Sequence, residues 1–75
     1  MRTRYKFPGT VIASAGYDAQ CELLEVEFCQ DGQIWQYFSV PEDIWYQFKR
    51  EVNPEVFFHR YIKGCYAECR VLAEA

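Results

Sequence analysis

The sequence predicts an α+β fold, a three-stranded antiparallel β-meander followed by two α-helices packed on one face. Three observations carry this. Residues 10–38 hold three strand candidates between turn signals, and the middle one, Leu23 to Cys29, alternates apolar and polar side chains. From residue 39 the apolar period becomes helical. The switch falls at Ser39-Val40-Pro41-Glu42, which has the spacing of a capping box. At 75 residues the chain makes one domain. Its expected parts are an N-terminal arm over 1–9, the domain over 10–72 and a tail over 73–75.

The first strand runs Thr10 to Tyr17, entered from the breaker pair Pro8-Gly9, and residues 18–21 make a short connection. In the second strand, Leu23 to Cys29, Leu24, Val26 and Phe28 alternate with Glu25 and Glu27, so one face is wet. Asp31-Gly32 then signals a two-residue type I′ hairpin, and Gln33 to Phe38 returns as the third strand. That turn sets Phe28 opposite Trp35 and Val26 opposite Tyr37, making these four a core motif. Glu25, Glu27, Cys29, Ile34, Gln36 and Phe38 share the other face.

Ser39 reads as the cap of a helix reaching about Val52, with Pro41, Ile44, Trp45, Phe48 and Val52 as its core stripe. Tyr46 falls on the far side, one turn from Glu42 and Arg50. Asn53 as cap and Pro54 in the first turn open a second helix that buries Phe57, Phe58, Tyr61 and Ile62, turns His59, Arg60 and Lys63 outward, and stops at Gly64. Cys65 to Val71 reads equally as a short final strand or an extended tail.

Composition suits a folded domain: 51% hydrophobic, 25% charged and 19% aromatic, the last supplying the area a small core needs. No apolar run is long enough to span a membrane, and residues 1–8 lack the apolar region of a signal peptide. The expectation is a cytoplasmic chain whose four cysteines stay free thiols. Residues 7–48 hold seven acids and no Lys or Arg, so an anionic partner would have to meet the two ends of the chain.

Taken together, Ile12-Ala13-Ser14-Ala15-Gly16-Tyr17-Asp18, Leu24-Glu25-Val26-Glu27-Phe28, Asp31-Gly32, Trp35-Gln36-Tyr37, Val40-Pro41, Phe57-Phe58-His59-Arg60 and Ile62-Lys63-Gly64-Cys65-Tyr66 resemble the KTSC domain. That family is named after the C-terminus of some lysyl-tRNA synthetases and also occurs as small stand-alone bacterial proteins. The resemblance covers about residues 10–71, and the family's central Tyr-x-Tyr stands here as Trp35-Gln36-Tyr37. It implies a small binding module, with RNA (tRNA or ribosomal) or an RNA-associated protein as partner, by association with a tRNA-charging enzyme. Where the family tends to carry Asn and further basic or aromatic residues, this chain has His59, Tyr61, Cys65, Ala67 and Glu68.

Candidate nucleic-acid contacts are Arg60, Lys63, Arg70 and His59, joined by Tyr46 and Arg50. The same cations also fit a solvated helix face near a negative helix end. The Trp35 and Tyr37 rings would suit base stacking, but the hairpin register sets them in the core. Ile34, Phe38 and Cys29 offer an alternative, a protein-docking or homodimer surface on the outer sheet face. Cys65 and Cys69 near His59 lack the second ligand pair of a structural zinc site. No nucleophile, base and orienting group come together, and the four glycines are dispersed. The reading is therefore no enzyme, no cofactor, no metal and no small-molecule substrate, in a monomer or weak homodimer.

Overall fold

The computed structural model describes residues 3–71. Arg2 and the expected tail at 73–75 lie outside the described residues. The strands are β1 (Thr3–Lys6), β2 (Ile12–Asp18), β3 (Leu23–Phe28), β4 (Ile34–Tyr37) and β5 (Glu68–Val71). They form a single antiparallel sheet in the order β1-β2-β3-β4-β5. Between β4 and β5 lie α1 (Glu42–Arg50), α2 (Pro54–Phe57) and a π-helix (Phe58–Ile62). None of the described helices is long and apolar enough to cross a membrane.

The fold class is as expected, but the sheet has five strands where the sequence reading had three and an undecided tail. The segment read as a charged arm contains β1, whose Tyr5 lies opposite Ala15 while Lys6 lies opposite Ser14. Alternation is thus present there, and cations on an edge strand discourage edge-to-edge association.

The hairpin register also differs. Val26 pairs with Trp35 and Leu24 with Tyr37, not Phe28 with Trp35 and Val26 with Tyr37. Phe28 donates its N–H to Gln33 O at 2.9 Å, so the loop has four residues. Asp31 Oδ1 accepts from Gln33 N at 3.1 Å, and only Gly32, at φ +69°, takes the left-handed conformation. A type I′ turn needs positive φ at both central residues, and Asp31 does not supply it. The shift is two residues, so every side chain keeps its face.

Aromatic rings fill the space between sheet and helices. Phe48 of α1 lies 4.8 Å from Phe7, 6.1 Å from Phe57 and 6.2 Å from Phe58, centroid to centroid. Phe58 meets Phe28 at 5.6 Å and Tyr37 at 5.4 Å, both edge-on. At the other end Tyr17 stacks on Trp45 at 5.8 Å and donates its hydroxyl to Val40 O.

Several helix expectations are corrected. Ser39 does not cap α1: it is exposed, at φ +60°, and Pro41 holds the N-cap position without a side-chain hydrogen bond. Val40 N–H instead bonds Glu22 O at 2.9 Å, tying the helix entry to the β2–β3 turn. The helix ends at Arg50, which leaves Val52 93% exposed and outside the core. Asn53 makes no side-chain cap. Lys63 N–H bonds Phe58 O at 2.8 Å, the five-residue step of a π-helix. This wider turn buries Phe58 and Ile62 and rotates Tyr61 outward to 51% exposure, so Tyr61 is not core.

Phe48→Ala removes the ring shared by β1-side and helix-side aromatics. It should lower unfolding free energy by about 3–5 kcal/mol, read by urea denaturation. Val52→Ala should leave the midpoint unchanged.

Candidate functional site

Of the described cations of the C-terminal half, Arg50, Arg60, Lys63 and Arg70 gather at two places joined by the π-helix. The first is a groove of about 710 Å³ between the end of α1 and α2, lined by Gln47, Arg50, Asn53, Val56, Arg60 and Tyr61 among others. Arg50 leaves α1 in its last turn and Arg60 leaves the π-helix, so both guanidinium groups edge one concavity. The exposed Tyr61 ring sits 5.0 Å from Phe57, which backs it. Glu51 is the acid in this lining.

The second place is a smaller cavity of about 140 Å³ lined by Phe28, Trp35, Tyr37, Lys63 and Glu68. Trp35 is only partly buried, with its Nε1–H donating to Gln33 Oε1 at 3.3 Å. The expectation that both rings are core therefore holds for Tyr37, 2% exposed, and only in part for Trp35. Lys63 reaches this cavity from the end of the π-helix. Arg70 on β5 is the cross-strand partner of Trp35 and exposed, and Glu68 is the partner of Tyr37. Burial first, then the negative charge of Glu68 and its side-chain hydrogen bond, push the Tyr37 phenol above its ordinary 10.0.

His59 is exposed on the π-helix and lines neither place, with its ring 5.4 Å from Phe58. Tyr46 donates its hydroxyl to Glu42 Oε2 at 3.1 Å and lies in a shallow depression with Lys49 and Arg50. The predicted set thus divides, Arg50, Arg60 and Tyr46 toward α1, and Lys63 and Arg70 around Trp35.

A family model described as the KTSC domain matches residues 9–66. The chain belongs to the KTSC domain family. A KTSC domain protein from Yersinia pestis, known from its crystal structure, is 30% identical. It superposes with a TM-score of 0.90 over 96% of this chain and 100% of that one. No curated protein matches the sequence. In this KTSC domain the Trp35-Gln36-Tyr37 segment sends Trp35 and Tyr37 to the helix side and Gln36 to the outer face.

On that outer face, Ser14 Oγ donates to Glu27 Oε1 at 2.8 Å and Gln36 Nε2 donates to Glu25 Oε2 at 3.2 Å. Gln36, bonded to Glu25, stands between Ile34, next to Val71 across the β4–β5 pair, and Phe38 beyond the far end of β4, while Glu27 lies opposite Ile34. Cys29 lies at the hairpin, its Sγ 3.9 Å from Gly9 O. The three apolar candidates do not form one patch. All four cysteines are free and exposed, and among the described residues no His, Cys, Asp or Glu group could hold a metal ion.

Because its folded pKa is raised, neutral Tyr37 contributes stability that is full below pH 10.0 and lost as pH rises through the raised value. Tyr37→Phe should flatten the fall in urea midpoint above about pH 10. An unchanged alkaline slope would show that Tyr37 is not the responsible phenol.

Proposed function

We propose that this KTSC domain is a non-enzymatic module that binds single-stranded RNA along its helix layer, in the reducing cytoplasm. The observation that supports it most is the Trp35 ring, only partly buried, with Lys63 in the lining of the same cavity and Arg70 across the β4–β5 pair. A single unpaired base can stack on the exposed part of the indole while the two cations meet its flanking phosphates. Glu68 and Tyr37 supply polar groups at the back of the same cavity. The Arg50–Arg60 groove extends the track along the π-helix, and Tyr61 offers a second ring. Irregular helical turns of this type recur at functional sites.

Net charge is −3, so attraction comes from local cations and is strongly salt-dependent. With Arg50, Arg60, Lys63 and Arg70 each on a phosphate, the logarithm of the binding constant should fall with that of salt at a slope of about −3. The outer sheet face is the second reading, as a docking or homodimer surface. Phe38, 40% exposed, and the Ile34–Val71 pair favour it. The Gln36–Glu25 pair between them weighs against it.

A titration of isotope-labelled protein with a short oligoribonucleotide at two salt concentrations tests the first reading. Shifts should appear at Trp35, Lys63, Arg70 and Arg60 and fade as salt rises. Lys63→Ala should lower the salt slope by about 0.7, and Trp35→Leu should weaken binding by about 1–3 kcal/mol. No shifts at low salt, or shifts confined to Ile34, Gln36 and Phe38, would reject RNA binding here. In the second case sedimentation of Phe38→Glu decides whether the partner is another copy.

A further inference from the structure

A second pocket, of about 310 Å³, lies on the other side of α1, between that helix and β1–β2. It takes no part in the RNA reading. Its lining is Tyr5, Tyr17, Ala19, Glu42, Trp45, Tyr46 and Lys49, four of them aromatic and one a carboxylate. Each ring is held from behind. Tyr5 packs edge-on against Phe7 at 4.9 Å, and Tyr17 stacks on Trp45 and is anchored through Val40 O. Tyr46 is tethered to Glu42, one helical turn away.

The pocket already holds a cation. Lys49 Nζ lies 5.0 Å from the Trp45 ring centre and 4.9 Å from that of Tyr46. These are cation–π distances, and such aromatic walls are what ammonium recognition uses elsewhere. The field has the same sign: Glu22, Glu42, Asp43 and Asp18 all act on the Tyr17 hydroxyl, while Lys49 is the one base in the lining. An anion would meet carboxylates here, and a neutral ligand would gain nothing from the charge. A volume at the low end of the range for ligand sites suits a small headgroup.

We propose that this pocket binds an alkylated ammonium group and that Lys49 is an internal occupant which the ligand displaces. A methylated ammonium is poorly hydrated beside a primary one, so it gains more from the ring faces than Lys49 loses. Two sources share this chemistry, a free choline-like amine and a methylated lysine side chain of a peptide.

The test follows Trp45 fluorescence in a Trp35→Phe background during titration with choline, and with an alanine tripeptide carrying trimethyl-lysine at its centre. Saturable changes are expected. Lys49→Ala should strengthen binding by about fivefold, and Tyr46→Ala, which alters an exposed side chain, should weaken it. Saturation by choline at equal or lower concentration assigns the free amine, and tighter binding of the tripeptide assigns the side chain. Amide shifts at Tyr5, Trp45 and Tyr46 in the unmutated protein give a second readout. The proposal is overturned if neither cation saturates the Lys49→Ala protein. It also fails if Tyr46→Ala responds as before, or if the neutral carbon isostere of choline binds as well.

Discussion

The contact on which the rest depends is the ring-to-ring network centred on Phe48 and Phe58. A chain of 75 residues has little interior, and aliphatic side chains alone would leave it marginal. Phe48 joins the strand side through Phe7 to the helices through Phe57, and Phe58 carries the network on to Phe28 and Tyr37. Sheet, α1 and the π-helix are thereby fixed against one another by a few large groups. Their edge-on and tilted geometry adds to the area they bury. Each candidate surface on the helix side lies at the solvent-facing rim of this network.

That rim has two chemically distinct ends. Around Trp35, Lys63 and Arg70 the ring is partly open and the nearby charge is mainly positive, tempered by Glu68. Around Trp45 and Tyr46 the rings face carboxylates and one internal ammonium. The opposite side of the sheet is neither, because Ser14, Glu27, Gln36 and Glu25 satisfy one another across strands. A polar ladder of this kind gives a partner little apolar surface to grip.

Much of this was legible in the residues, for physical reasons that also explain the gaps. Val26, Tyr37, Phe48 and Phe58 are buried as their periodicity required. The hairpin register was misread by two residues because Asp-Gly suits both a two-residue turn and a longer loop with glycine alone left-handed. An even shift leaves the faces intact, so the core assignments survived. Val52 and Tyr61 were misplaced because an ideal helix was extended over a chain that stops at Arg50 and then widens into a π-turn, and neither event has a clear residue signal. Arg4 and Lys6 masked β1, although Tyr5 and Phe7 alternate with them. The grouping of Lys63 and Arg70 about Trp35 needed β5 to be a strand. The pocket of Tyr5, Tyr17 and Trp45 draws on three separate elements, which spacing along the chain cannot report.

The strictly sequential strand order bears on how fast the chain can fold. Three of the four strand pairings join neighbours across short connections, which close rapidly and at small entropic cost. The fourth, Ile34 with Val71 through Tyr37 with Glu68, spans both helices and closes the longest loop of the four, at the largest entropic cost. That longest closure is also the one that sets Arg70 opposite Trp35, and every residue of β5 is exposed. With no buried residue where β2 and β3 have several, β5 should exchange its amides faster than those two strands.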